Sequence, residues 1–130
     1  MTRRAVIPGY ESLAAVHDAA LEHAQSGKGR ERHASGEPFH EQPIVTIGSA
    51  LGSNHFELGQ AIKKTRESVR LKPGAAVHEL LGAINYLAAA VILLQREEAR
   101  EVRGPELPEE SDYDRRNNEI HRLARLAGKL

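Results

Sequence analysis

Apolar residues recur three and four positions apart in two separate stretches, which is the spacing of an amphipathic helix. The first stretch runs from Tyr10 to Gly27, and a glycine is a common residue just beyond a helix end. Its apolar positions are Leu13, Val16, Ala20, Leu21 and Ala24. The second runs from about His55 to Arg70, after Asn54 as a candidate N-cap. Its pattern places Leu58, Ile62, Thr65 and Val69 on one side and Lys63, Lys64, Arg66 and Arg70 toward water.

A third and longer helix is predicted from Pro73 to about Arg103, and its centre, LLGAINYLAAAVILL (80–94), is apolar on nearly all sides. A helix without a polar face must be covered on all sides. Two amphipathic helices are few for that task, so we expect part of it to pack against another copy of the chain. Small residues that would allow this close approach are Gly82, Ala83, Ala88, Ala89 and Ala90.

The same apolar run raises the possibility of a membrane span, which the sequence argues against. The run is shorter than the roughly 20 apolar residues that cross a bilayer, and Asn85 lies inside it. A buried amide needs hydrogen-bond partners, and one such residue can fix the register of a helical assembly. We therefore predict a structural role for Asn85 rather than contact with a ligand.

The remaining segments connect these helices. Residues 27–43 hold three glycines and two prolines without an apolar period, so they predict a long loop, and Pro43 opens a short helix. Residues 97–114 carry eight carboxylates and two prolines. We predict an all-α fold, a small oligomeric helical bundle with a long central apolar helix. Its organisation is a helical core (1–103), an acidic linker (104–114) and a basic amphipathic helix (115–130), in which Ile120, Leu123, Ala124 and Ala127 share a face.

Composition narrows the class of protein. A chain of 130 residues fits one domain. Lys plus Arg and Asp plus Glu both number 18, so net charge does not favour nucleic acid or a membrane as a partner. The chain has no cysteine, which suits a reducing compartment, and no long apolar run follows its first residues, as a secretory signal would require. The expected location is the cytoplasm.

The loop carries the strongest candidate for a ligand site, because glycines free the backbone and guanidinium groups match phosphate oxygens. We expect its cations to contact an anion, and they are Lys28, Arg30, Arg32 and His33. Phe39 or His40 could stack on a base. The alternative is a solvated basic loop paired with Glu31 and Glu37, as most charged runs are.

A second hypothesis is a metal-dependent nucleotide phosphohydrolase, whose ligands would come from His55, Glu57, His78 and Glu79. A helical zinc site places two ligands one turn apart, as in H-E-x-x-H, and neither His40 nor His78 begins that motif. We therefore predict no cofactor. A third hypothesis is a protein- or nucleic-acid-interaction factor that acts through the basic tail, since basic amphipathic helices bind partners and phosphates.

The segments GEPFHEQPI, LGQAIKKTRES and ELLGAINYLAAAVI together resemble small helical proteins carried by phages and prophages, over residues 27–95. Some of these, of the MazG-like kind, cleave nucleoside triphosphates with an E-x-x-E and an E-x-x-D motif that hold magnesium. Here Glu57, Glu67 and Glu79 occur singly, and the E-x-x-D of Glu109 to Asp112 falls in the linker. The resemblance therefore implies capture of a signalling nucleotide, or of a host protein, without catalysis. Our leading prediction is a non-enzymatic homo-oligomer that binds an anionic small ligand, a nucleotide by preference.

Overall fold

A computed structural model describes residues 5–26, 36–104 and 112–128 of the chain, with the side chains of 112–114 excluded. These residues are all-helical and contain no strand, as predicted. The helices are α1 (Glu11–Ser26), a 3-10 turn η1 (Phe39–Glu41), α2 (Pro43–Leu51), α3 (His55–Ser68), α4 (Pro73–Arg103) and α5 (Asp112–Ala127). The chain divides into two compact units, Met1–Glu98 and Ala99–Leu130.

The helix boundaries follow the residues that cannot continue a helix or that begin one well. Pro43 and Pro73 are the first residues of α2 and α4, where the absent N–H costs nothing. Gly52 closes α2 in the left-handed conformation, with φ 71°, and Gly104 follows α4 with φ 75°. Residues other than glycine rarely adopt these values. The short helix after Pro43 and the long helix to Arg103 are thus confirmed.

Helix α4 is the central element of the first unit, because each of the other elements contacts it. Asn85 Nδ2 donates a hydrogen bond to the Ala20 carbonyl of α1 at 3.0 Å. The Tyr86 ring meets Phe56 of α3 edge-on, with centroids 6.3 Å apart. Asn85 therefore has the structural role that we predicted, but its partner lies in the same chain.

The core of the described residues consists almost wholly of alanine. Its buried apolar side chains are Ala20, Val45, Ala61, Ala83, Ala89 and Ala90. Gly82 is buried as well. The expectation that Gly82, Ala83, Ala89 and Ala90 contact another copy is therefore wrong, since their own chain covers them. Their small size allows the other helices of the first unit to approach α4 closely, and of the predicted set only Ala88 is exposed.

Helix α3 is rotated relative to its predicted orientation. Its apolar residues Ile62 and Val69 are 60% and 85% exposed, whereas Glu57 and Ala61 are buried. Lys64, which we placed toward water, is half-buried. The reason lies in two glycines on neighbouring helices: Gly48 leaves space that the Glu57 carboxylate fills, and Gly82 leaves space for the Lys64 stem.

The sequence argument that the apolar run is too short for a bilayer is also wrong, because it considered only residues 80–94. The helix has 31 residues, and an 18-residue window within it has a mean hydropathy of 1.8. By length and composition α4 could cross a membrane, and 22% of that window is buried inside the structure.

In the second unit, α5 begins at Asp112, close to the predicted start of the basic helix. Its apolar residues Ile120, Leu123 and Leu126 are exposed.

Candidate functional site

A group of ionisable side chains lies in the first unit where α1 and α3 pack against α4, with Glu57 fully buried and His78 exposed. We call it the internal polar cluster, and its members are His23, Glu57, Lys64, His78, Glu79 and Tyr86. Lys64 Nζ lies 3.7 Å from Glu79 Oε2, and each side chain keeps 28% of its surface exposed. The same ammonium lies 5.9 Å from the centre of the Tyr86 ring, within the range of a cation–π contact.

Glu57 is the most buried member, with no exposed surface. Its Oε2 accepts a hydrogen bond from the Gly48 N–H of α2 at 3.2 Å. Its Oε1 finds no hydrogen-bond partner among the described residues. A buried carboxylate with only one such bond is energetically unfavourable, so the contact with Gly48 is the feature that holds this side chain inside.

Two histidines from distant parts of the chain meet at the edge of the cluster. The rings of His23 on α1 and His78 on α4 have centroids 5.6 Å apart. Burial lowers the pKa of His23, and the nearby His78 and Lys64 lower it further, while Glu79 opposes them. His23 is therefore a less ready proton acceptor than an exposed histidine.

Tyr86 has the opposite kind of shift. Burial raises the pKa of its hydroxyl above the usual 10.0, and the Glu57 carboxylate adds to this effect. The phenol therefore stays protonated through neutral pH and can donate a hydrogen bond, but it cannot serve as a base there.

The four alternative metal ligands occupy different environments. His55 is exposed at the first position of α3. Glu57 turns toward Gly48, His78 toward His23, and Glu79 toward Lys64. Across the residues that the structure describes, no group of three His, Asp or Glu side chains is placed to hold a metal ion.

Of the predicted anion site, the structure describes only the downstream end. Lys28, Arg30, Arg32 and His33 lie outside the described residues. Phe39 and His40 form η1, where Phe39 is half-buried and the His40 side chain is 55% exposed. Arg96 Nη2 of α4 donates a hydrogen bond to the His40 carbonyl at 3.3 Å, which joins η1 to the central helix.

Arg96 is a residue that the sequence reasoning did not consider. Its position in the sequence could have indicated this contact. Arg96 is the first cation after the apolar run, and it lies one turn beyond Leu93, on the side of α4 that packs against its own chain. A cation at the end of a packed helical face can reach the backbone of the next element, and Arg96 does so at η1.

Comparison of the chain with protein-family models, with curated proteins and with solved structures found no significant match in any of the three.

Proposed function

We propose that this protein is a non-enzymatic, homo-oligomeric helical protein that binds an anionic small ligand, a nucleotide by preference, through residues 27–43. The observation that carries the proposal is the link between Arg96 and η1. It joins the backbone of η1, at the downstream end of the cation-rich segment, to the central helix. A ring beside a cationic segment suits a nucleotide, which offers both a flat base and phosphates.

In this proposal each part of the segment binds a different part of the ligand. Phe39 or His40 stacks on the base, since aromatic rings stack on any base at about 1–3 kcal/mol each. The phosphates are bound by the predicted cations Lys28, Arg30, Arg32 and His33, through charge-assisted hydrogen bonds that Arg forms in pairs.

Capture of a signalling nucleotide in the cytoplasm is the proposed biological role. The resemblance to small phage and prophage proteins supports this role, because those of the class that lack the MazG-like carboxylate motifs act on a host by capture. The internal polar cluster does not conflict with it: Lys64 pairs with Glu79, and Glu57 bonds to backbone. Those contacts suit side chains that hold helices together.

Isothermal titration calorimetry with mononucleotides, cyclic nucleotides and inorganic phosphate tests the proposal. We expect binding to weaken at least about tenfold, or 1.4 kcal/mol, in an Arg30→Ala/Arg32→Ala variant. A matched control removes two cations from α5, in Arg115→Ala/Arg116→Ala, and should leave affinity unchanged.

Two outcomes would contradict the proposal. If no nucleotide gives heat at high protein concentration, the proposed nucleotide binding is refuted. Loss of binding in the α5 variant, with full binding in the Arg30/Arg32 variant, would instead assign binding to the basic helix.

A further inference from the structure

Helix α4 has an apolar face that the described part of its own chain leaves open. It consists of Val77, Leu80, Ile84, Leu87, Val91 and Leu94, which alternate three and four residues apart. We call this set the α4 seam. Its members other than Ile84 are each between 42% and 54% exposed, and Ile84 is half-buried. Large apolar side chains in one continuous stripe normally mark an interaction surface.

The opposite side of the same helix is occupied. Asn85 contacts α1 and Tyr86 contacts α3, and Leu93 lies against the Gly48 position of α2. At 3.6 residues per turn these contact residues fall on the side of α4 away from the seam. The fold of the first unit therefore uses one side of α4 and leaves the other available.

The kinds of residue in the seam indicate what covers it. Val77, Ile84 and Val91 are β-branched, and the leucines of the set lie between and after them. A heptad repeat with β-branched residues at its a positions and leucine at its d positions favours two parallel strands. We infer that the α4 seam packs in parallel against the same seam of a second copy of this chain. This inference rests on the homo-oligomer in the proposed function and specifies its interface.

The extent of the seam also fits a second helix. The run from Val77 to Leu94 is 18 residues long, about 26 Å of helix. It provides three successive pairs of a and d positions, about the least that defines a coiled coil. The next two positions of the same repeat are Glu98 and Glu101. Carboxylates there end the apolar contact.

A second copy accounts for the seam better than lipid does. Charged groups that face lipid are costly, and α3, which packs beside α4 through Lys64, exposes Lys63 and Arg66. Here the other side of α4 carries Asn85 and Glu79, engaged by α1 and α3. One side of α4 packs against its own chain and the other carries a single apolar stripe. A second helix fits such a stripe.

Native mass spectrometry of the full chain tests the inference. The wild type should be a dimer of twice 14.3 kDa, and a Leu80→Lys/Leu87→Lys variant should be a monomer with retained helical circular dichroism. The control, Ile62→Lys/Val69→Lys, changes two apolar residues that are more exposed than Leu80 and Leu87, one in α3 and one just after it, and should remain dimeric. A wild-type monomer at high concentration, or a seam variant that stays dimeric, would overturn the inference, as would flotation of the wild-type monomer with phosphatidylcholine vesicles.

Cysteine cross-linking provides a second readout that does not depend on disrupting the dimer, because the chain has no cysteine of its own. Oxidation of Val77→Cys should give a covalent dimer, since equivalent a positions face each other in a parallel pair, whereas Val69→Cys on α3 should not. If Val77→Cys cross-linked only with added Leu94→Cys chains, the parallel arrangement would be wrong.

The two proposals fail separately. If nucleotides give no heat, but the wild type is a dimer that the seam variant dissociates, nucleotide binding is refuted and the α4 interface stands. If the seam variant is still a dimer, the α4 interface is refuted, whereas nucleotide binding and self-association both stand.

Discussion

Replacement of Gly48 by alanine tests the closest packing in the first unit. An ideal Cβ at this position would lie 2.6 Å from Leu93 Cδ1 and 2.7 Å from Glu57 Cδ, with Glu57 Oε1 closer still. Real Cβ atoms essentially never approach other atoms so closely. The atoms in the way are the ends of the Glu57 and Leu93 side chains, and because Glu57 is fully buried, their displacement must disturb the packing between α2, α3 and α4.

The expected loss of stability is the difference between two opposing effects. Overpacking of a well-packed core costs about 1–3 kcal/mol. Alanine favours a helix over glycine by about 1 kcal/mol, and Gly48 lies inside α2. The difference favours overpacking, and we expect Gly48→Ala to lower the free energy of unfolding by up to about 2 kcal/mol.

Gly59→Ala is the matched control. Gly59 lies inside α3, and a Cβ added there would meet no atom within 4 Å. The same chemical change should therefore raise the free energy of unfolding by about 0.5–1 kcal/mol. Urea unfolding followed by far-ultraviolet circular dichroism, at one fixed protein concentration, measures both variants.

The two substitutions should change the free energy of unfolding in opposite directions. A Gly48→Ala variant as stable as Gly59→Ala would mean that α2, α3 and α4 do not pack as closely as described. The cause can be checked with Glu57→Ala added to Gly48→Ala. Removal of the carboxylate should relieve part of the clash, with a favourable coupling of about 0.5–3 kcal/mol between the two sites.

Three further measurements concern the contacts between the helices of the first unit. Asn85→Ala removes the hydrogen bond to Ala20 and should cost about 0.5–1.5 kcal/mol in urea unfolding; no loss would show that this bond does not join α1 to α4. Because burial lowers the pKa of His23, the unfolded chain takes up its proton first as the pH falls below 6.5, so stability should decline from there. His23→Gln should lessen the loss of stability as the pH is lowered from 7.5. An equal loss in the wild type and the variant would show that His23 is not its source. A double-mutant cycle of Lys64→Met and Glu79→Gln should give a coupling of about 1 kcal/mol or less, and a coupling of zero would show that the 3.7 Å pair contributes nothing.

The helices and their ends could be predicted from the sequence because the signals are local. The apolar spacing located α1, α3 and α4, while Pro43 and Pro73 marked the beginnings of α2 and α4. The rotation of α3 could not be predicted. Its apolar stripe was read as the more buried side because a single chain usually buries its largest apolar side chains, but in this fold the interior side of α3 carries Glu57.

The internal polar cluster depends on residues far apart in the sequence. Lys64 meets Glu79 across two helices, and His23 meets His78 from α1. No fixed spacing predicts such pairs, since they arise only once Gly82 has let the Lys64 stem approach α4. The downstream end of the predicted ligand site was accessible to sequence reasoning because Phe39 and His40 lie within one short segment. Its anchor Arg96 was not, as it comes from another element.

Helix α4 looked apolar on all sides in the sequence, and the structure divides its residues by size. The side that packs within the chain carries glycine and alanine, among them Gly82 and Ala89, which fit between closely spaced helices but bury little apolar area. The exposed seam carries valine, isoleucine and leucine, which would contribute most to hydrophobic stabilisation when buried. A chain with an alanine core and its larger side chains outside has more to gain from association than a typical monomer. The distribution of side-chain sizes on α4 therefore agrees with the proposal that a second copy packs against the seam.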